Sequence, residues 1–206
     1  MGHNKLFQKR AILTRRENTR RLRKILIVCE GEKTEPNYFK KFEANPEVFD
    51  SIEVKGTGYN TVSLIKKAIQ LRDAAIQNKE PYIETWCVFD KDDFPTESFE
   101  NAINLAVKHQ IKCAYSIEAF EIWYMLHFHF YDAALSRLQY KDKLSELLKK
   151  SYLKNDPEMY SILKKNQSKA LRNAKLLYDR QYLLPLKEQN PITTVFRLVE
   201  RLRGQS

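Results

Sequence analysis

Cysteine is scarce: three residues in 206, with no Cys-x-x-Cys pair, leave nothing for a disulfide framework or a cysteine-rich zinc site. No apolar run approaches the roughly 20 residues that a membrane-spanning helix needs. Nor is the basic N-terminus followed by an apolar segment of the signal type. A reduced, cytoplasmic setting without a membrane partner is therefore expected. The sequence also lacks Gly-x-x-x-x-Gly-Lys-Ser/Thr, so any ATP hydrolysis tied to this chain has to come from another protein. Internal repeats and low-complexity segments are absent as well.

Hydrophobic residues make up 43% and charged residues 30%, a globular composition and not a disordered one. The length suits one domain with an appendage, able to bury roughly 70% of its unfolded surface. The net charge of +10 invites a polyanion partner. Its distribution says more. Residues 1–24 hold nine basic side chains against Glu17 alone, residues 151–206 hold eleven against five, and residues 25–150 hold sixteen against twenty. An acidic middle lies between basic ends.

Residues 1–24 carry few apolar positions and read as a basic segment, either a solvated tail or a nucleic-acid contact through Arg15, Arg16, Arg20 and Arg21. Residues 25–130 then alternate. Ile25–Cys29 is a continuous apolar run, the mark of a strand buried on both faces. Thr34 is placed to cap a helix running through Tyr38, Phe39 and Phe42. A second strand is expected at 52–54, and a helix capped by Thr61 after the loop Gly56-Thr57-Gly58. The third strand, Ile83 to Phe89, runs into Asp90-Lys91-Asp92-Asp93, and a helix begins near Thr96. A fourth strand at 111–115 precedes an apolar helix over 119–130. Such alternation predicts an α/β fold, a mostly parallel sheet with helices on both faces. Residues 131–206 read as a basic helical C-terminal region, with helices at 138–151, 157–182 and 192–202.

In an open parallel sheet, ligands bind outside the carboxyl ends of the strands. Glu30 follows the first strand, Asp90 and Asp92 the third, Glu118 and Glu121 the fourth. With neighbouring strands about 4.8 Å apart, these carboxylates can converge. Clustered carboxylates repel and call for a hard cation, Mg²⁺ or Mn²⁺, which can activate water and neutralise charge on a phosphate. Glu30 reads as a further ligand or as a general acid/base. Glu32 and Glu35 read as favourable charges at a helix N-terminus.

On the C-terminal helices, Lys169 or Arg172 is a candidate to stabilise a phosphoryl transition state. Lys164 and Lys165, with Lys33 in the first loop, are candidates to hold nucleic-acid phosphates. His127 and His129 would lie about 200° apart on a helix, which favours core or interface roles over a metal pair. Cys29, Cys87 and Cys113 fall inside strands and read as small buried hydrophobes. Gly56-Thr57-Gly58 reads as a turn in preference to a phosphate cradle. Trp123, Tyr124, Phe128 and Phe130 read as core, with base stacking as the alternative for any that project outward.

The stretch Ile25 to Phe39, Ile-Leu-Ile-Val-Cys-Glu-Gly-Glu-Lys-Thr-Glu-Pro-Asn-Tyr-Phe, resembles the opening signature of RloB-like proteins. Three further blocks agree: Phe89-Asp90-Lys91-Asp92, Ser116 to Phe128 around Phe120-Glu121-x-Trp123, and Asn190-Pro191-x-Thr193 followed by Leu198-Val199. The resemblance places the chain in the wider Toprim group and implies a Toprim-like (Rossmannoid) sheet. It also implies a Mg²⁺-dependent phosphodiester site. Glu30 then matches the group's general acid/base, Asp90 and Asp92 its metal ligands, and Glu121 an added ligand. The family's usual Asn-Pro after the serine is here Ile117-Glu118, which brings Glu118 forward as a ligand beside or in place of Glu121. The expected function is a metal-dependent nuclease in bacterial anti-phage defence, with nucleic acid and an ATPase as partners and a homo-oligomer left open. A non-catalytic binding subunit, or phosphotransfer on a small nucleotide, are the alternatives.

Overall fold

The computed structural model describes residues 22–91 and 95–205. Its centre is a parallel sheet of β1 (Lys24–Cys29), β2 (Ser51–Gly56), β3 (Glu84–Lys91) and β4 (Lys112–Ile117), in the order β2-β1-β3-β4. The expected α/β architecture is present, with a helical C-terminal region. β1 is central because both its faces are apolar. Ile25, Ile27 and Cys29 join one core, while Leu26 and Val28 join the other. Trp86 and Val88 against Cys87 and Phe89 repeat that alternation in β3. Side chains of this kind contribute about 1.5–3 kcal/mol each when fully buried, so the central pair anchors the domain.

Helices α2 (Thr61–Gln77) and α3 (Thr96–Lys108) cover one face through Leu64, Ile65, Phe99 and Ala102. The other face receives α1 (Thr34–Lys40), α4 (Glu121–Met125) and the helices that follow: α5 (Arg137–Leu148), α6 (Met159–Leu163), α7 (Gln167–Gln181) and α8 (Val195–Arg203). These C-terminal helices share one core with β1 and β3 through Tyr140, Leu163, Leu177 and Leu198.

Three boundaries depart from expectation. The apolar stretch 119–130 is α-helical only over Glu121–Met125, with i→i+3 bonds on both sides, among them Trp123 N–H to Phe120 O and Phe128 N–H to Met125 O. Asn173 Nδ2 donates to Leu126 O at 2.8 Å, so tertiary contact takes that carbonyl. The expected helix 157–182 is interrupted by a 3₁₀ turn at Lys164–Asn166. Residues 192–194 are not helical but lie along β4: Ile117 N–H donates to Ile192 O, Thr194 N–H donates to Tyr115 O, and Ser116 and Thr193 form an antiparallel bridge. This segment covers the outer edge of β4, and α8 starts only at Val195. The hydroxyls expected as caps do not cap either. Asn60 precedes α2 without a side-chain bond, and Thr34 Oγ1 donates instead to Lys154 O at 3.0 Å. Among the described residues no helix is long and apolar enough to cross a membrane.

Candidate functional site

The strand order reverses between β1 and β3: the chain leaves β1 towards β2 under α1, and leaves β3 towards β4 under α3, on the opposite face. Helices diverging in this way open a crevice at the carboxyl ends of the two strands, where ligands of doubly wound sheets bind. Glu30 and Asp90 stand at that crevice. Glu30 N–H donates to Val88 O at 2.8 Å, which holds Glu30 against β3. Its Oε2 accepts the Asp90 N–H at 3.2 Å. Asp90 Oδ2 accepts the Phe120 N–H at 3.1 Å, so the turn before α4 closes over this carboxylate. Asp90 Oδ1 is buried with no hydrogen-bond partner among the described residues.

Two more carboxylates converge from the helices. Glu121 opens α4, is 7% exposed, and accepts the Tyr152 hydroxyl on Oε1 at 3.0 Å. Glu35 lies in the first turn of α1, is 6% exposed, and leaves Oε2 buried and unpartnered. Burial first, then the charges of Glu35, Glu121 and Glu30, push the Asp90 carboxyl well above the ordinary aspartate range. Burial also raises Glu35; its own backbone hydrogen bond opposes this, Glu121 adds to it, and Lys154 opposes it. A methyl group at Gly31 would overlap the Glu35 carboxylate, so the glycine of Glu30-Gly31 makes room for that acid.

Glu35 does not stand out in the sequence, because an acid at a helix N-terminus needs no further reason. Its signal is the Glu-Gly that begins five residues upstream, where a buried carboxylate can lie against bare backbone. Tyr140 gives no signal in the sequence either. It is fully buried on α5 with its hydroxyl unpartnered, and burial, Glu118, Glu121 and Asp90 push its phenol up. Glu118 has a left-handed backbone, φ 76°, and its N–H donates to Lys91 O.

Among the described residues, no three His, Cys, Asp or Glu side chains form a ready-made metal ligand set. Asp92 lies outside the described residues, as do Asp93, Arg15, Arg16, Arg20 and Arg21. The donor chemistry of Asp90 and Glu35 suits a hard cation, since each carries one buried carboxylate oxygen with no hydrogen-bond partner among the described residues.

Two cavities flank the acids. One, of about 400 Å³, is lined by Glu121, Arg137, Lys141, Tyr152 and Lys154. The other, of about 430 Å³, is lined by Lys33, Thr34, Glu35 and Lys154. Lys169 and Arg172, on α7, line neither. Lys164 pairs with Glu43 at 2.6 Å, and Lys165 is exposed beside it. His127 is buried with Nδ1 against Trp123 O, and burial lowers it to about 4, whereas His129 is exposed. Cys29 and Cys87 are buried and Cys113 half-buried, each with its thiol pushed up by burial, to about 12 for Cys113. Trp123 and Tyr124 are core, while Phe128 and Phe130 are half-buried against it.

The family model for RloB-like protein matches residues 25–202, from the first residue of the apolar run in β1 into the last turn of α8. No curated protein and no solved structure gives a significant match.

Proposed function

The chain belongs to the RloB-like protein family, and we propose that it is a metal-dependent phosphodiesterase acting on DNA or RNA in a bacterial anti-phage defence system. One observation carries this reading. Asp90 Oδ1 and Glu35 Oε2 are buried and unpartnered in a group of mutually repelling carboxylates at the switch point of a parallel sheet. Leaving such oxygens unmade costs about 1–3 kcal/mol each, a cost that an arriving cation would remove. The resemblance to Toprim proteins, Glu30-Gly31 followed by Asp90-x-Asp92, adds the expected order of residues.

Asp90 and a neighbouring acid, Glu35 or Glu121, together with Asp92 of the Asp-x-Asp motif, would hold Mg²⁺ or Mn²⁺. Bound there, the cation would supply Lewis-acid stabilisation of a phosphoryl oxygen and a water of lowered pKa. Glu30, held on the Asp90 N–H, is oriented to take or return a proton at its carboxylate. Phe120 N–H fixes one oxygen of Asp90 and thereby directs the other. Purified full-length protein with Mg²⁺ or Mn²⁺ should cleave nucleic acid, and Asp90→Ala should abolish cleavage while the circular dichroism spectrum stays native. Cleavage that survives Asp90→Ala overturns the proposal.

A second reading is a non-catalytic subunit that binds nucleic acid or an ATPase partner. It is favoured by the want of three described acids pre-set as ligands. It predicts metal-independent binding and no turnover with the partner supplied.

A further inference from the structure

Beside the acids lies a set of cations that no motif in the sequence marks. Arg137 and Lys141 stand one turn apart on α5, on the same face, and line the 400 Å³ cavity into which Glu121 opens. Lys154 lines that cavity and also the one beside Glu35. The segment carrying Lys154 is fastened from three directions. Thr34 Oγ1 donates to Lys154 O at 3.0 Å, Asn37 Nδ2 donates to Asn155 O at 3.0 Å, and the Tyr152 hydroxyl donates to Glu121. Lys154 therefore sits at the junction of the two cavities, and its charge reaches Glu35.

We propose that Lys154, Arg137 and Lys141 form a seat for the phosphate of a single nucleic-acid strand adjacent to the bond being cut. This rests on the acids being the reaction centre. Arginine and lysine at the mouth, with carboxylates inside, sort a polyanion by position: one phosphate rests on the cations while the next meets the acids. A volume of about 400 Å³ admits a nucleotide-sized unit and not a duplex. Leu153 lines the same cavity at 65% exposure and offers apolar surface that a base can cover. The strand is therefore read as single, bound through successive phosphates with little regard to sequence.

The test is binding of a short fluorescent single-stranded oligonucleotide to the full chain in EDTA, followed by anisotropy over a range of salt. The triple variant R137Q/K141Q/K154Q should weaken binding about tenfold near physiological salt. It should also lower the slope of log K against log salt by about 0.7, the value for one strand phosphate that the protein no longer neutralises. The control triple K66Q/K79Q/K108Q removes the same charge from exposed positions on or beside α2 and α3. Binding unchanged in the first triple, or lowered equally in the control, overturns the seat. A mononucleotide that displaces the strand at equal concentration overturns the strand as its ligand. Because EDTA removes chemistry from the readout, a protein that binds through these residues but never cleaves would sink the nuclease reading and leave the seat standing. Cleavage with the first triple at wild-type affinity would do the reverse.

Discussion

Replacing Asp90 with asparagine should make the metal-free protein more stable, although it removes the central residue of the site. Asp90 Oδ2 accepts from Phe120 N–H, and an asparagine Oδ1 can take over that role. The amide NH₂ then stands where Oδ1 is buried and unpartnered, facing the carboxylates whose charges act on it. Relative to the ionised carboxylate, a repelled acceptor becomes a donor towards acids. Satisfying a buried group of this kind is worth about 1–3 kcal/mol. At ~2–4 °C per kcal/mol for a chain this size, a gain near 2 kcal/mol raises Tm by about 4–8 °C. Burial and neighbouring acids raise Asp90 above its unfolded value, so the folded state holds the extra proton. Its stabilising contribution is present below the ordinary aspartate range and is lost as pH rises through the raised value. The gap between variant and wild type should therefore widen with pH, and effects common to both proteins cancel in the difference. Thermal unfolding in EDTA across pH 5 to 9 measures this. A variant less stable than wild type at neutral pH, or a gap that narrows as pH rises, would refute the reading of Asp90 as a frustrated carboxylate.

Gly31→Ala should destabilise by about 1–3 kcal/mol, because its methyl overlaps the Glu35 carboxylate, and the double variant Gly31→Ala/Glu35→Ala should recover most of the loss; denaturant unfolding of both decides it. If the double variant is no better than the single, the glycine serves some other contact. His127, lowered to about 4 by burial, is neutral in the folded protein and charges on unfolding at the ordinary histidine value of 6.5. Stability on its account is complete above 6.5 and is lost as pH falls towards 4, by about 3 kcal/mol at ~1.36 kcal/mol per unit. His127→Gln, which keeps a donor for Trp123 O, should flatten that acid limb; an unchanged limb would show that the proton goes elsewhere.

Much of the frame is written in local pattern. Ile25–Cys29 is apolar at every position because β1 is covered on both faces, and the alternation of strands with helices allows little besides a parallel sheet. Continuous runs announce burial, and strand-end loops announce where ligands of such sheets bind, so Glu30, Asp90 and Glu121 can be named as candidates from order alone. The helix ends are less legible. The 119–130 stretch is apolar nearly throughout, and periodicity does not show that Asn173 takes the Leu126 carbonyl. Likewise Ile192–Thr194 is helical by composition and bridged to β4 in fact, because the open edge of that strand offers backbone partners.

What the sequence by itself determined is a sheet order of events: which segments are strands, which acids follow them, and that the basic charge lies outside the α/β middle. Residue spacing carries that information, since periods of 2 and 3.6 are properties of the backbone. Only the tertiary structure decided that Glu35 belongs with Asp90, that Tyr140 stands among the acids, and that Lys154 lies between two cavities. Those relations join positions as far apart as Glu35 and Lys154. They depend on where β1 and β3 part and on how the 152–155 segment is fastened to α1. A carboxylate at a helix start reads the same in water or buried. Gly31 beneath it, and the fold above it, removed the water.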